Sequence, residues 1–370
     1  MQIRPTKALI NLSNLAHNYM VISGLVQPAK IIAVVKADAY GHGAHKIVEK
    51  LITLKNPPEL YAVATVEEVI DLTISFPEAR FLVFEPFNLT MIKSIGKYRY
   101  EVTVSSFDQL EYIKSSGLQE RLGVHIKIDT GMGRLGFKTD EVDRLLKVLP
   151  AINIISIKGV YTHFATSDEP DRKFTCLQIE RFEAVLRKFK AAGIETGMVH
   201  ASNSGGIFDY PQAHFDAVRP GIALYGYYKN EETSTNLGLK PVMSIVGSLS
   251  TVKRFAAGES ISYGRKYILK KDSWIGSISI GYADGIRRSL GSRIYCLING
   301  KKYSQAGTIT MDRIMIDLKD DEYPIGQEVV ILSDDPKSDS SCWKWCSELD
   351  TIPYEITTGI SKRVPRVYES

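Results

Sequence analysis

The sequence predicts a (β/α)8 barrel of the TIM type followed by a mainly antiparallel β domain, and three patterns predict it. Between residues 31 and 226, apolar β-branched runs recur at 31–36, 61–65, 81–86, 101–106, 123–130, 156–164, 197–203 and 217–226. Segments of helical periodicity, such as Val142 to Leu149 and Leu177 to Phe189, separate most of them. After residue 236 the strand-like runs continue, but without long helices between them. Eight strands alternating with helices suit parallel pairing through right-handed crossovers and closure into a barrel. A doubly wound open sheet is the alternative. The expected domains are 1–235 and 236–370.

The elements follow in order. A helix over Asn11 to Val26 precedes the first strand, Ile31 to Val35, which delivers Lys36 at its end and breaks into a glycine-bearing turn. In the second domain, strands are expected at 242–254, 274–281, 293–298, 303–308, 313–318 and 327–333. Asn299-Gly300 between two of them is a two-residue hairpin signal, because both positions of a type I′ turn need positive φ. Short helices are expected near Ser341–Leu349 and from Pro353, whose fixed φ suits a first helical turn.

Composition excludes several function classes. The chain is 44% hydrophobic and 24% charged, with a formal charge of +4, too mild and too scattered for a nucleic-acid surface. The N-terminus shows no signal-peptide apolar region, and no run approaches the ~20 residues of a membrane span. A cytoplasmic protein is the expectation. Four cysteines make neither a disulfide framework nor a metal site.

Chemically capable residues gather at the C-terminal ends of the proposed strands, the face on which barrel enzymes build their sites. Lys36 and Tyr40 follow the first strand; Lys127, Asp129 and Arg134 follow the fifth; His163 ends the sixth; Asn203 and Ser204 end the seventh; Arg219, Gly221 and Ile222 lie on the eighth. A partly desolvated lysine loses affinity for its proton and becomes a nucleophilic amine, although strand-end lysines commonly reach back to water. Ser204-Gly205-Gly206 with Gly221-Ile222 offers N–H groups and a hydroxyl to a phosphate, or only tight turns. His163 is a ring contact or a satisfied core histidine. An amine, a phosphate cradle and a ring-contacting histidine and arginine together suggest pyridoxal phosphate.

The chain resembles the alanine racemases, pyridoxal-phosphate enzymes built as a barrel plus a β domain. The resemblance rests on AVVKADAYGHG (33–43), IKIDTGMGRLGF (126–137), THF (162–164), SNSGG (202–206), VRPGIALYG (218–226), SYGR (262–265), GYADG (281–285), TMDRIMIDL (310–318), PYEI (353–356) and RVPRVY (363–368). It implies that Lys36 carries the cofactor as an aldimine and is one catalytic base, with Tyr263 the opposite base across a homodimer interface. It further implies that Tyr40, His163, Asn203, Ser204, Arg219, Gly221, Ile222 and Tyr354 hold the cofactor. Arg134, Met311 and Asp312 would bind substrate, Lys127 would be carbamylated, and Tyr282 would line the channel by which alanine arrives. D-Alanine for peptidoglycan is the implied product. Many relatives place cysteine before Met-Asp where this chain has Thr310, which touches substrate range. A broad-specificity racemase of the same family and a non-catalytic pyridoxal-phosphate carrier are the alternatives; carriers lack the β domain that holds Tyr263, Met311 and Asp312.

Overall fold

In the computed structural model, which describes residues 4–87, 91 and 100–370, the chain divides into two units. One comprises Tyr19–Ala39 and Ala44–Leu224; the other comprises the segment ending at Asn18, Tyr40–Gly43 and Tyr225–Ser370. The chain opens on strand β1 (Lys7–Asn11) and a helix, Leu12–Val26. The next strands are β2 (Lys30–Val34), β3 (Leu60–Val63), β4 (Phe81–Val83), β5 (Glu101–Val104), β6 (Leu122–Asp129), the two-residue β7 (Phe137–Lys138), β8 (Ile155–Tyr161), β9 (Met198–His200) and β10 (Ala217–Val218).

Apart from β7, which only flanks β6, these strands form a ring in the order β5-β4-β3-β2-β10-β9-β8-β6, and parallel pairing of β5 with β6 closes it. Every residue of β3 and β4 is buried, as expected of strands covered on both faces. The interior is not wholly apolar. Thr103, His125, Tyr161 and His200 are buried there, and the Thr103 and Tyr161 hydroxyls lie 2.9 Å apart. The outer helices start where local chemistry dictates. At Val66–Ser75, the Thr65 hydroxyl accepts from the Glu68 N–H while the Glu68 carboxylate accepts from the Thr65 N–H, a reciprocal cap. At Phe107–Ser115 the Ser106 hydroxyl takes the Gln109 N–H.

The other unit contains β11 (Met243–Phe255), β12 (Ser260–Ile261), β13 (Tyr267–Ile268), β14 (Ser273–Ile278), β15 (Tyr295–Ile298), β16 (Lys301–Gln305), β17 (Ile314–Lys319), β18 (Glu328–Leu332) and β19 (Arg366–Glu369). Its eight-stranded sheet runs β14-β17-β16-β15-β18-β11-β1-β19, with β14 also pairing β11. The hairpin at Asn299-Gly300 has φ of 51° and 77°, as the dipeptide predicts. β1 was not among the expected strands. Its five residues alternate half-buried and buried, too short a pattern to stand out, and its antiparallel partner β11 lies far along the chain. Helices Cys342–Leu349 and Pro353–Gly359 fall at the expected positions. No helix among the described residues is long and apolar enough to cross a membrane.

Candidate active site

Lys36 leaves the end of β2 into a turn of unusual hand. Over Lys36–Gly41 the backbone winds with φ of 52° to 56° at Ala37, Asp38, Ala39 and Tyr40, none of them glycine. The expected glycine-bearing turn is therefore a left-handed turn of ordinary L-residues, each costing about 1–2 kcal/mol relative to right-handed backbone. Backbone this strained persists only where its surroundings hold it. Here the Glu68 carboxylate accepts the Ala37 N–H at 2.7 Å and the Ala64 N–H at 2.8 Å, and the Asp38 carboxylate accepts the Ala44 N–H at 2.8 Å. One side chain thus caps a helix and pins the residue after Lys36. Sequence reasoning passed over Glu68, although Thr65-x-x-Glu68 is a legible capping box.

Around this turn the barrel unit collects positive charge. Burial lowers the affinity of the Lys36 amine for its proton; Arg134 adds to the effect and Glu68 opposes it. Lys127, buried on β6 with its ammonium 5.4 Å from the Tyr161 ring centre, is lowered to about 8, first by burial and then by Arg134 and Arg219. His163 is held well below the usual imidazole range by burial and then by the charges of Arg219, Arg134, Lys127 and Lys36, so it is neutral. The charges of Lys36, Lys127, Arg134 and Arg219, collected by sequence position alone, all reach His163. A site this cationic suits an anionic occupant.

Arg219 is 3% exposed. Its guanidinium donates to the Thr162 and Ala201 carbonyls at 2.7 and 2.8 Å, to His200 Nδ1 at 2.8 Å and to His163 Nδ1 at 3.3 Å. Burial lowers it to about 10, which leaves it a cation at neutral pH. Of its five N–H groups, Nε–H and one Nη1–H have no acceptor among the described residues. Ser204 Oγ accepts the N–H groups of Gly221 and Ala223 at 3.1 and 3.3 Å, leaving its own proton to donate. The Asn203 carboxamide oxygen accepts from Gly206 N–H and Ser167 Oγ, so it caps the helix Ser204–Asp209. A Cβ on Gly205 would meet Ser167 Oγ at 2.5 Å and one on Gly206 would meet Ser202 Oγ at 2.7 Å. Both glycines lie in the helix Ser204–Asp209, where close packing requires them. Gly221 and Ile222 are buried beside them.

The other unit carries the remaining candidates. The Tyr40 ring lies 4.9 Å from that of Tyr225 and 5.7 Å from that of Tyr354. Burial and then Tyr354 raise the Tyr40 phenol, so it stays a neutral donor. Tyr263 sits in a tight turn, its carbonyl accepting from Thr308 Oγ1 at 2.9 Å, and its side chain is 71% exposed. Thr310 Oγ1 donates to the Arg313 carbonyl and accepts the Arg313 N–H, closing the turn that presents Met311 and Asp312. Asp312 takes a 2.7 Å hydrogen bond from Arg363. The half-exposed Tyr282 is tied to that turn by its N–H, which donates to the Thr310 carbonyl.

Comparison with known proteins gives one answer. Residues 10–229 match the alanine racemase N-terminal domain and residues 242–368 its C-terminal domain. The sequence is 39% identical to alanine racemase 1 of Clostridium acetobutylicum, over 99% of this chain and 96% of that protein. An alanine racemase crystal structure from Streptomyces lavendulae superposes with a TM-score of 0.93 at 30% identity, covering 100% of this chain and 98% of that one. One from Clostridium difficile 630 gives 0.91 at 34%, covering 100% and 97%. The chain belongs to the alanine racemase family and is an isomerase that interconverts the L and D forms of alanine.

Proposed function

We propose that the protein racemises alanine with bound pyridoxal 5′-phosphate, Lys36 and Tyr263 acting as bases on opposite faces of the substrate, in a cytoplasmic homodimer that supplies D-alanine for peptidoglycan. The observation that carries the reading is the buried Arg219, a cation with two N–H groups to give, in the same unit as a lysine whose hold on its proton burial weakens. A donor of that kind matches a pyridine nitrogen, and the free proton on Ser204 Oγ matches a phosphate oxygen. The donor set fits the cofactor.

Bound at Lys36, pyridoxal phosphate supplies a carbonyl that condenses with amines and a conjugated ring that spreads the electron pair left at Cα. The chain's own residues do the rest. Arg219 would donate to the ring nitrogen without giving up a proton, which would limit charge spreading and disfavour transamination. Tyr40, Ser204, Gly221, Ile222 and Tyr354 would hold the phosphate, Asn203 caps the helix that starts at Ser204, and His163 would pack against the ring. Arg134, Met311 and Asp312 would bind the alanine carboxylate. Lys127, lowered to about 8, keeps a fraction of neutral amine able to take up carbon dioxide, and the carbamate so formed would pair with Arg134. Lys36 would move the Cα proton on one face and Tyr263 of the partner subunit on the other. The exposure of Tyr263 and Met311, at 71% and 53%, supports a face completed by a second copy. Tyr282 would line the approach to it.

The test is incubation with pyridoxal phosphate and L-alanine in deuterated water. D-Alanine carrying deuterium at Cα is expected. Deuterium exchange without inversion would sink the two-base assignment.

A further inference from the structure

Behind Arg219, a line of hydrogen bonds runs the length of the barrel. Arg219 Nη1 lies 2.8 Å from His200 Nδ1, His200 Nε2 lies 2.9 Å from His125 Nδ1, and His125 Nε2 lies 2.6 Å from a Glu101 carboxylate oxygen. His200 and His125 are buried, and the Glu101 side chain is 12% exposed. Arg219 follows the C-terminal end of β10, whereas Glu101 is the first residue of β5, so the line connects the two ends of the barrel. The other Glu101 oxygen accepts from Arg80 Nη2 at 2.7 Å and Nε at 3.1 Å. Arg80 also pairs with Glu59, and Glu59 with Lys30, so alternating charges ring the starts of four adjacent strands.

The partners leave one arrangement of protons. A guanidinium only donates and a carboxylate only accepts. His200 Nδ1 must therefore be bare to receive Arg219, which puts its proton on Nε2. That N–H must find a bare His125 Nδ1, which puts the His125 proton on Nε2, facing Glu101. Each link has one donor and one acceptor, all pointing toward Glu101. Burial keeps both imidazoles from charging, while hydrogen bonds from His125 and Arg80 outweigh burial and keep Glu101 ionised. The fold makes room for the line: a Cβ on Gly159 would fall 2.3 Å from His125 Nδ1. The His200 ring stacks on Tyr161, with centroids 4.8 Å apart and planes 10° from parallel.

We propose that Glu101, at the far end of the barrel, is a positioning residue for Arg219, fixing through His125 and His200 the tautomers that let His200 accept from the guanidinium. The consequence for racemisation rests on the reading of Arg219 as partner of the cofactor ring nitrogen; the proton order does not.

Glu101→Gln tests it without changing shape. Arg80 would claim the carboxamide oxygen, turning the NH2 toward His125 and requiring Nε2 to be bare. Both imidazole protons would then move to Nδ1, and His200 would present an N–H to Arg219. In the double variant Glu101→Gln with Arg80→Ala, the oxygen is released to face His125 and the original order returns. The measurement is 15N NMR of the histidine side chains in the full-length chain, with and without cofactor. The expectation is Nε2–H at both residues in the wild type, Nδ1–H in the single variant, and Nε2–H again in the double. Racemisation at saturating alanine should slow on the order of tenfold in the single variant and recover in the double.

A wild-type proton on Nδ1 of either histidine overturns the proposal whether or not the variants fold. Unmoved protons in Glu101→Gln overturn it as well. Switched tautomers with unchanged racemisation would leave the proton order standing and remove its link to Arg219.

Discussion

Lys36, Lys127 and Asp284 show what burial does to a single charge. For Lys36→Ala, racemisation should fall roughly 10³-fold or more, within the span of one acid–base group, and the yellow absorbance of the bound cofactor should vanish. A variant that stayed yellow would exclude Lys36 as the anchor. Lys127 carries a sign that can be checked. Its proton affinity is lowered on folding, from 10.5 to about 8. Between those values the unfolded chain holds the proton and the folded chain does not, so its contribution to stability rises with pH across that window. Below about pH 8 the buried ammonium costs about 3 kcal/mol by the same shift. In bicarbonate-free buffer, Lys127→Met should be more stable than the wild type at pH 7, with the gap closing toward pH 10 in urea unfolding. Asp284 is the opposite case. Fully buried, it is held by Arg4 at two contacts of 2.7 Å and by the Gly281 N–H, which outweigh burial and keep its carboxyl low. Arg4→Ala should therefore cost about 3–5 kcal/mol, as removing one half of a buried pair does.

At the scale of elements, the decisive devices are small ones. Glu68 is both cap of Val66–Ser75 and partner of the Ala37 N–H, so Glu68→Ala should lose about 2 kcal/mol in thermal unfolding. It should also weaken cofactor retention, because Lys36 is the neighbour of the freed residue. Gly159→Ala should disturb the barrel interior rather than its surface, since the added methyl would run into His125 and the Met198 carbonyl. The eight barrel strands, their order and the Asn299-Gly300 hairpin were legible because burial on both faces and positive φ write themselves into local composition. The left-handed turn was not: nothing in Ala37-Asp38-Ala39-Tyr40 favours it locally, and it depends on partners such as Glu68 far along the chain. The same holds for the His200–His125–Glu101 line, whose members are 75 and 24 residues apart.

At the scale of the whole molecule, the motifs carried the family, while the proposed pairing of two chains rests on the exposure of Tyr263 and Met311. A mixing experiment addresses this directly. Lys36→Ala and Tyr263→Phe should each be nearly inactive alone. If each site draws its two bases from different chains, a dimer of one of each contains one intact site. Random reassortment of equal amounts should then restore about a quarter of wild-type activity. Recovery absent from reassorted dimers would place both bases in one chain. Glu231–Asn236 is a helix, its first turn capped by Asn230, and no expected element covered it.

The reversed turn beside Lys36 also bears on how this enzyme could be engineered. Glycine is ordinarily a loss, yet Ala37 is exposed and held at positive φ, where glycine removes the steric penalty at the cost of a looser unfolded chain. Ala37→Gly should raise thermal stability, by up to about 1 kcal/mol, while letting the lysine wander. A selection for heat resistance alone would favour that exchange, and a selection for turnover would reverse it.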